Sequence, residues 1–245
     1  MPDSRRPSGA RRSRLRAARS VLVAAFFAAA LAACGSDGGS DEPANLLTVS
    51  ADGSTRIDSA ATAQALASLP IQPLSADEAA SLAYMREEEK LARDVYTALA
   101  ALWAPPIFDN IAASEQTHTE AVLALLTRYS LPDPAATTPP GVFVDAGLQA
   151  LYDEYALRGQ ASLDAALTVG AEIEELDIRD ISAALQKVDN LDITTVYSNL
   201  LKGSRNHLRA FVSVLASRGV VYVPKFITPA LYQEIISSPT ETGPN

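Results

Sequence analysis

A charged residue stands in the apolar stripe of a predicted helix near residue 89. Residues three and four apart along this stripe are Leu82, Met85, Glu89, Ala92, Tyr96, Leu99 and Trp103. This spacing is typical of the buried face of an amphipathic helix, and Glu89 is its only charged member. A carboxylate in such a position is unfavourable unless a proton, a cation or a metal ion compensates its charge. Other helices are therefore expected to supply partners for Glu89.

Three more predicted helices repeat this feature. The polar members of their stripes are Glu115 and His118, then Glu174 and Asp177, then Ser204 and His207. Each pair is three residues apart, which places both side chains on one helix face. The chain has only two histidines, and both lie in these stripes.

Along the chain, a helix with a carboxylate in its apolar stripe is followed by a helix with an x-x-His motif, and this order occurs twice. Antiparallel pairing would bring the polar positions of all four helices to one level. Inward glutamates from two helices, with Glu-x-x-His from two others, hold two metal ions in four-helix bundles. We therefore predict an all-α fold of two antiparallel helix pairs with a crossover connection. The predicted metal ligands are Glu89, Glu115, His118, Glu174, Asp177 and His207.

The N-terminal residues carry a processing signal. Seven arginines lie within residues 1–19, and the 13-residue apolar run at 21–33 is too short to span a bilayer. The run ends in Leu-Ala-Ala-Cys, whose cysteine, Cys34, is the only one in the chain. This succession is typical of a secretory signal peptide, and its end resembles a bacterial lipobox. We expect cleavage before Cys34, a lipid anchor on its sulfur and a location at the bacterial cell envelope; the alternative is an ordinary signal peptide.

The charge of the chain excludes one class of partner. The net charge at pH 7 is −9, and it becomes −15 when residues 1–33, with seven arginines and one acid, are removed. Such an acidic protein does not bind a phosphate backbone electrostatically, so we expect cations and no nucleic acid as ligands. The sequence also has no phosphate-binding loop, dinucleotide glycine motif or nucleophile elbow.

Four parts follow from the sequence. We predict a signal peptide at 1–33, a lipidated cysteine with a flexible tether and a weakly structured segment at 34–73, a helical domain at 74–237 and a frayed tail at 238–245. A short strand near 46–49 and a short helix near 60–69 are expected within the second part, without a functional role. Ser75 and Glu78 form a predicted capping box at the start of the domain, and Asp192 is the predicted cap of the last long helix.

The motif Glu89-x-x-Ala92-x-x-x-Tyr96, followed by Glu115-x-x-His118, resembles the first half of the ferritin-like, rubrerythrin-like di-iron carboxylate superfamily. The strings at 87–96, 170–178 and 203–211 are similar to an uncharacterised bacterial ferritin-like domain family of unknown function. The resemblance covers about residues 74–236 and implies a ferritin-like four-helix bundle with a metal pair, but no substrate. Carboxylate and imidazole ligands suit iron, with manganese as the alternative.

The last helix departs from the superfamily's pattern. The superfamily usually has Glu-x-x-His in this helix, whereas this chain has Ser204-x-x-His207. A stripe that begins at Ala166 instead would turn Glu174 partly outward. The sequence is therefore compatible with a one-metal site, an asymmetric pair of metals or a vacant second metal position. Carboxylates that could replace the missing one are Asp177, Glu175 and Glu172.

Each feature also has a purely structural interpretation. A single buried histidine is more often a packing residue than a metal ligand. Glu87 and Glu88 are expected on a solvated edge of their helix. Tyr96 and Tyr197 are expected in the core.

Three functions are therefore weighed. The first is a di-iron oxidoreductase acting on Fe(II), dioxygen or peroxide, with Glu115 as a bridge and one histidine for each metal. It needs an external electron donor, because the chain has no cysteine cluster. The second is a metal-binding lipoprotein without turnover. The third is a protein-binding lipoprotein with an acidic surface and a structural polar core.

Overall fold

The computed structural model describes residues 44–242, so the predicted signal peptide, Cys34 and the tether at 35–43 lie outside the described residues. The described part is mostly helical, and the all-α prediction is confirmed at that level. No helix within residues 44–242 is long and apolar enough to cross a membrane. The elements in chain order are β1 (Leu47–Val49), β2 (Thr55–Ile57), α1 (Ser59–Ser68), α2 (Ala76–Ala100), α3 (Ile107–Arg128), α4 (Ala146–Gly159), α5 (Leu163–Leu185), α6 (Leu191–Ser217) and α7 (Pro229–Ser237).

The four long helices pack as two pairs. Helix α2 packs along α3 and α5 packs along α6, while α2 also contacts α5 and α3 contacts α6. Arg86 of α2 donates to the carbonyl of Thr119, and Arg93, one to two turns later on α2, donates to the side chain of Gln116, which precedes Thr119 on α3. The chain directions of α2 and α3 are therefore opposite. In α5 and α6 the contacts join Glu174 to His207 and, farther along, Asp164 to Arg218, again in opposite directions.

Local sequence signals set the ends of these helices. Ser75 accepts from the Glu78 N–H, and Glu78 accepts from the Ser75 N–H, so the predicted capping box is confirmed. Gly219 follows α6 with φ +79°, a left-handed conformation that favours glycine. The prediction for Asp192 is wrong, because Asn190 is the N-cap of α6. The Asp192 carboxylate instead accepts from Arg128 and Tyr129, which anchors α6 to the end of α3.

Two apolar clusters form the core, and the polar stripe positions lie between them. On α3, Ile111 belongs to one cluster and Val122 to the other, with Glu115 and His118 between them. Helices α2 and α6 show the same arrangement around Glu89 and around His207, since their buried apolar residues on either side belong to different clusters. The fold therefore confines the predicted site to one level in the middle of the long helices.

The segment at 44–69, expected to be weakly structured, is fixed against the long helices. Strands β1 and β2 pair antiparallel with Leu47 opposite Ile57, and β2 and α1 contact α3 and α6. The Leu46 N–H donates to the Asn199 side chain over 2.8 Å, and the Thr55 N–H donates to the Ser114 hydroxyl over 2.9 Å. The expected strand and helix are present, together with a second strand that was not predicted.

The last described residues are also held in place. The Glu241 carboxylate accepts from Arg205 and Arg209 of α6, and the Asn206 side chain bonds to the Glu241 backbone at both its N–H and its carbonyl. The chain up to residue 242 is thus attached to α6, although the sequence predicted a frayed tail from 238.

Candidate metal centre

Five predicted residues from four helices meet in the middle of the fold. We name them the carboxylate–histidine cluster: Glu89, Glu115, His118, Glu174 and His207. In each of two overlapping groups, one ligand atom per residue lies within 4.8 Å of the others. The first group is Glu89, Glu115 and His118, and the second is Glu115, Glu174 and His207. All five are buried, and the cluster could hold a metal ion.

Glu115 belongs to both groups because each of its carboxylate oxygens faces a different histidine. Its Oε2 is 2.8 Å from Nδ1 of His118, and its Oε1 is 2.8 Å from Nδ1 of His207. Glu89 Oε2 is 3.2 Å from Nδ1 of His118, and Glu174 Oε2 is 3.5 Å from Nδ1 of His207. Each histidine therefore has one carboxylate of its own and shares Glu115 with the other.

The short separations around Glu115 are not hydrogen bonds. Within the described part of the chain, both Glu115 oxygens and Nδ1 of His207 have no hydrogen-bond partner, although they are buried. Buried polar atoms are nearly always paired, so unpaired ones indicate a missing ligand or proton. The donor atoms converge on one another without the alignment of a hydrogen bond, which is the arrangement that a cation between them would require.

The charges of the cluster are strongly coupled. Burial opposes the charged imidazole, yet Glu115 and Glu89 raise the pKa of His118 to about 10. In the same way, Glu115 and Glu174 overcome burial and raise the pKa of His207 to about 9. Burial raises the pKa of Glu89 to about 8 despite the nearby His118. Burial also acts on Glu115, but the two histidines hold its pKa well below the usual range. Without a cation, protons must compensate these carboxylates.

A residue that sequence analysis missed contacts both imidazoles from the opposite side. Thr55 Oγ1 lies 2.8 Å from Nε2 of His207 and 3.1 Å from Nε2 of His118. The two rings stack with centroids 5.4 Å apart and planes inclined by 16°, so one hydroxyl reaches both. A hydroxyl oxygen has two acceptor lone pairs and can accept both Nε2–H bonds. The neutral form of each ring then presents an unprotonated Nδ1 to the carboxylates.

Only a partial signal for Thr55 is present in the sequence. The Asp52-Gly53 pair between two short apolar stretches is typical of a hairpin turn, and Gly53 indeed has φ +89°. Nothing in the pattern indicates where the hairpin docks. Close packing at this point also needs Gly203 of α6, because a Cβ there would lie 2.5 Å from Cε1 of His118.

The two tyrosines expected in the core, Tyr96 and Tyr197, have different roles. Tyr96 donates its hydroxyl to Glu174 Oε1 over 2.6 Å and also contacts the Gly170 carbonyl at 3.2 Å. This bond fixes the orientation of the Glu174 carboxylate beside His207. The Tyr197 hydroxyl instead lies 3.0 Å from the Ser81 hydroxyl, away from the cluster.

The candidate replacements for the missing carboxylate lie outside the two groups. Neither of the two groups found among residues 44–242 includes Asp177. Glu172 pairs with Arg158 and Lys225, and Glu175 accepts from the backbone N–H groups of Lys225 and Phe226. Ser204, at the position of the usual glutamate, donates its hydroxyl to the Leu200 carbonyl at 3.2 Å.

The expectation that Glu87 and Glu88 lie on a solvated edge is wrong. Each is only 3% exposed. Glu87 accepts from the backbone N–H groups of Val144 and Asp145 and so fixes the start of α4. Helix α2 is enclosed by α3, α4 and α5, so it has no wide solvated face on which these charges could lie.

Comparison with known proteins gives related sequences and one related fold. A family model described as the uncharacterized protein domain DUF2202 matches residues 78–239. The uncharacterized protein MJ0754 of Methanocaldococcus jannaschii is 51% identical over 180 residues, which is 74% of this chain and 97% of that protein. The crystal structure of hypothetical protein MJ0754 from Methanococcus jannaschii DSM 2661 has a TM-score of 0.70 and 52% identity, and the match covers 71% of this chain and 99% of that one.

The matched range includes the whole carboxylate–histidine cluster, whereas Thr55 precedes it. The family model covers well over half of the chain. The chain therefore belongs to the DUF2202 family of uncharacterized protein domains.

Proposed function

We propose that the protein binds two divalent metal ions in a ferritin-like four-helix bundle made of α2, α3, α5 and α6, with α4 in the crossover connection. The proposed ligands of one ion are Glu89, Glu115 and His118, and those of the other are Glu115, Glu174 and His207. The observation that carries the proposal is the position of Glu115, buried between two imidazoles with both oxygens lacking a hydrogen-bond partner within the described residues.

A metal pair accounts for the cluster better than a structural network of polar groups. In a structural network, buried carboxylates and imidazoles keep aligned hydrogen bonds, because an unpaired buried group costs about 1–3 kcal/mol or more when charged. Here Nδ1 of His207 and Oε1 of Glu115 face one another at 2.8 Å without such a bond. Two cations would neutralise three carboxylates and give every one of these atoms a partner.

Thr55 supports the same proposal. Histidines that bind a metal usually donate their other ring N–H to an acceptor, which fixes the tautomer. Thr55 is that acceptor for His118 and His207 together, at 3.1 and 2.8 Å. Tyr96 acts similarly on Glu174 by donating to the oxygen that does not face His207.

Iron is the metal we propose, with manganese as the alternative, because mixed carboxylate and imidazole donors suit both. A bound iron pair would supply the redox chemistry for acting on Fe(II), dioxygen or peroxide. The residues around the cluster hold the donor atoms in place and exclude bulk water, since all five ligands are at most 1% exposed. An oxidoreductase of this kind takes electrons from an external donor.

One observation favours binding without turnover as the second candidate. The Ser204 hydroxyl is engaged with the Leu200 carbonyl, so α6 supplies no second bridging carboxylate. Consumption of dioxygen or peroxide by the iron-loaded protein separates the two candidates: turnover supports the oxidoreductase, and stable metal without turnover supports storage or sensing.

Metal content is the first test. The full chain, a His118→Ala/His207→Ala double variant and a Glu175→Gln control are loaded anaerobically with Fe(II), desalted and analysed by plasma mass spectrometry. Glu175 is as buried as its neighbour Glu174 but bonds to the backbone at 225–226. We expect about two equivalents in the parent and the control and far fewer in the double variant. A folded parent that retains neither iron nor manganese contradicts the proposal.

We also propose, from the sequence pattern alone, that the protein is exported and lipid-anchored at Cys34 in the cell envelope. Mass spectrometry of the N-terminal peptide from membrane fractions tests this. We expect a lipid-modified Cys34 as the first residue, whereas a Cys34→Ser variant should accumulate unprocessed. An N-terminus other than Cys34 in the mature parent protein contradicts the lipoprotein.

A further inference from the structure

We infer that Asp177, Glu88 and Asp180 form a transit site that conducts divalent cations from a surface cleft between α2 and α5 to the carboxylate–histidine cluster. This inference rests on the proposed metal centre. It assigns a role to three acidic side chains that lie outside both groups of proposed ligands.

The inner end of the transit site is Asp177. It lies one helical turn beyond Glu174 on α5, on the same face, and is 1% exposed. Both of its carboxylate oxygens lack a hydrogen-bond partner within residues 44–242. A buried carboxylate without donors is strongly unfavourable unless a cation visits it or a proton neutralises it. Burial raises the pKa of Asp177 well above its usual range, and the carboxylates of Glu89, Glu88 and Glu174 raise it further.

The middle of the transit site is Glu88. It is buried beside Glu89 on α2, and its Oε2 also has no hydrogen-bond partner in the described part of the protein. Its carboxyl group contacts that of Asp180, and burial together with this neighbour raises the pKa of Glu88 well above the usual range. Glu88 thus contacts the partly exposed Asp180 and is followed on α2 by Glu89, a member of the cluster.

The outer end is Asp180, which reaches solvent. It follows Asp177 by three residues, so Glu174, Asp177 and Asp180 form an i, i+3 row that turns from the buried side of α5 toward solvent. The Asp180 side chain is 22% exposed and lines a cleft of about 420 Å³ between α2 and α5. The cleft is also lined by Asp77, Glu78 and Lys187. Both Asp180 oxygens accept from Arg179, so the outer end of the row is a paired carboxylate at the surface.

The row is better suited to cations than to the proton relay that also fits a line of carboxylates. The unpaired atoms of the row within residues 44–242 are carboxylate oxygens, and oxygen ligands are typical of hard divalent cations. A proton relay needs hydrogen-bonded neighbours, whereas three oxygens of Asp177 and Glu88 are unpaired within residues 44–242.

The rate of metal loading tests the inference. Co(II) is mixed with the metal-free full chain in a stopped-flow instrument, and visible absorption reports occupancy of the centre. We expect Asp177→Asn and Glu88→Gln to load at least about 10-fold more slowly than the parent, because each removes a carboxylate that can bind the cation on its way to the centre. Final stoichiometry, measured after desalting, should equal that of the parent. Asp153→Asn is the control, since it removes one exposed acid from α4 and should leave the rate unchanged.

Three results have different consequences. Loading of both variants within about two-fold of the parent overturns the transit site and leaves the proposed metal centre intact. Loss of metal equivalents at equilibrium in Asp177→Asn shows Asp177 to be a ligand of the centre and likewise overturns the transit role. A parent protein that takes up no Co(II), Fe(II) or Mn(II) overturns the proposed function itself.

Discussion

The two halves of the candidate centre use the same spacing but not the same donors. In the α2–α3 half, Glu89 faces the Glu115-x-x-His118 motif, and in the α5–α6 half, Glu174 faces Ser204-x-x-His207. The first half supplies both oxygens of the shared carboxylate, 2.8 Å from one histidine in each half. A single glutamate therefore serves two imidazoles, and Ser204 on the other side binds only its own helix.

The two halves therefore repeat the positions of their polar residues, but the residues at these positions differ. The helices bring four polar positions to one level, and the identity of one residue decides how many carboxylates are available. The α5–α6 half is supported differently, because Tyr96 donates to Glu174, whereas His118 bonds to Glu89 directly at 3.2 Å. Variants that act on one half, on both or on neither test this comparison.

The largest effect is expected for Glu115→Gln, which acts on both halves. The amide keeps the shape but removes the charge that both imidazoles share, so both metal equivalents should be lost. We expect both affinities to fall by more than about 100-fold, beyond the loss of an outer-shell partner. Glu120→Gln, at an exposed position on the same helix, is the control. Retention of two equivalents by Glu115→Gln in a titration with Mn(II) contradicts the shared role.

Single histidine variants should separate the halves. His118→Ala removes the imidazole that Glu89 and Glu115 contact, and His207→Ala removes the one beside Glu174. Each variant should keep about one equivalent of metal, because the other group retains three donors. Plasma mass spectrometry of the two loaded variants measures this. Loss of both equivalents from either variant would show that the centre assembles only as a pair.

Thr55→Val should weaken both halves together. Valine has nearly the shape of threonine but cannot accept from the two Nε2–H groups, which lie 2.8 and 3.1 Å from the hydroxyl. We expect a loss of about 10–100-fold in affinity for both ions, typical of a lost outer-shell partner. Thr55→Ser should restore affinity. Nitrogen-15 NMR of the imidazoles should show a changed tautomer in Thr55→Val alone; unchanged tautomers and affinities would reduce Thr55 to a packing residue.

The helical periodicity predicted the cluster because each ligand replaces an apolar residue on a buried face. Glu89 could be recognised between Met85 and Ala92, and Glu115 and His118 by their separation of one turn. All five residues of the cluster lie where their stripes placed them. Periodicity works here because it reports the direction of a side chain from a regular helix, and it needs no knowledge of the contacts on other faces.

The charged run of α2 shows where this reasoning fails. Periodicity assigns Glu87 and Glu88 to a solvated edge, but both are buried, as is Lys90. Lys90 pairs with Asp94 at 2.6 Å and donates to the loop carbonyls of Pro139 and Val142. Asp94 lies one turn away on α2, but the loop carbonyls are distant in sequence, and no local pattern indicates them. Thr55 was missed for the same reason, because its position depends on tertiary docking of a short hairpin.

A pH titration compares the metal-free and metal-loaded forms. The pKa values of about 10 for His118 and about 9 for His207 exceed the usual value of about 6.5 in an unfolded chain. Their charges therefore stabilise the folded metal-free protein fully below about pH 6.5, and this stability is lost as pH rises through 9 to 10. Glu89, with its pKa raised to about 8 by burial, acts in the same direction.

The expected result is opposite for metal binding. Since the ligands must lose these protons, affinity should rise with pH by about tenfold per unit for each proton displaced. Thermal unfolding between pH 7 and pH 10 should show a falling Tm without metal and a growing stabilisation by Mn(II). The His118→Ala/His207→Ala variant should lose most of this dependence. A metal-free Tm that rises over this range contradicts the charge states inferred for the cluster.

The smallest effect is expected for Ser204→Ala, which tests whether Ser204 is a further metal ligand of the α5–α6 half. The variant loses one hydrogen bond, from the Ser204 hydroxyl to the Leu200 carbonyl, worth about 0.5–1.5 kcal/mol of unfolding free energy. Metal stoichiometry and affinity should not change. Ser114→Ala is a matched comparison, because Ser114 is equally buried but accepts the Thr55 N–H and so should weaken metal binding through Thr55. If Ser204→Ala loses metal while Ser114→Ala does not, the serine is a donor and the two halves are more alike than their sequences indicate.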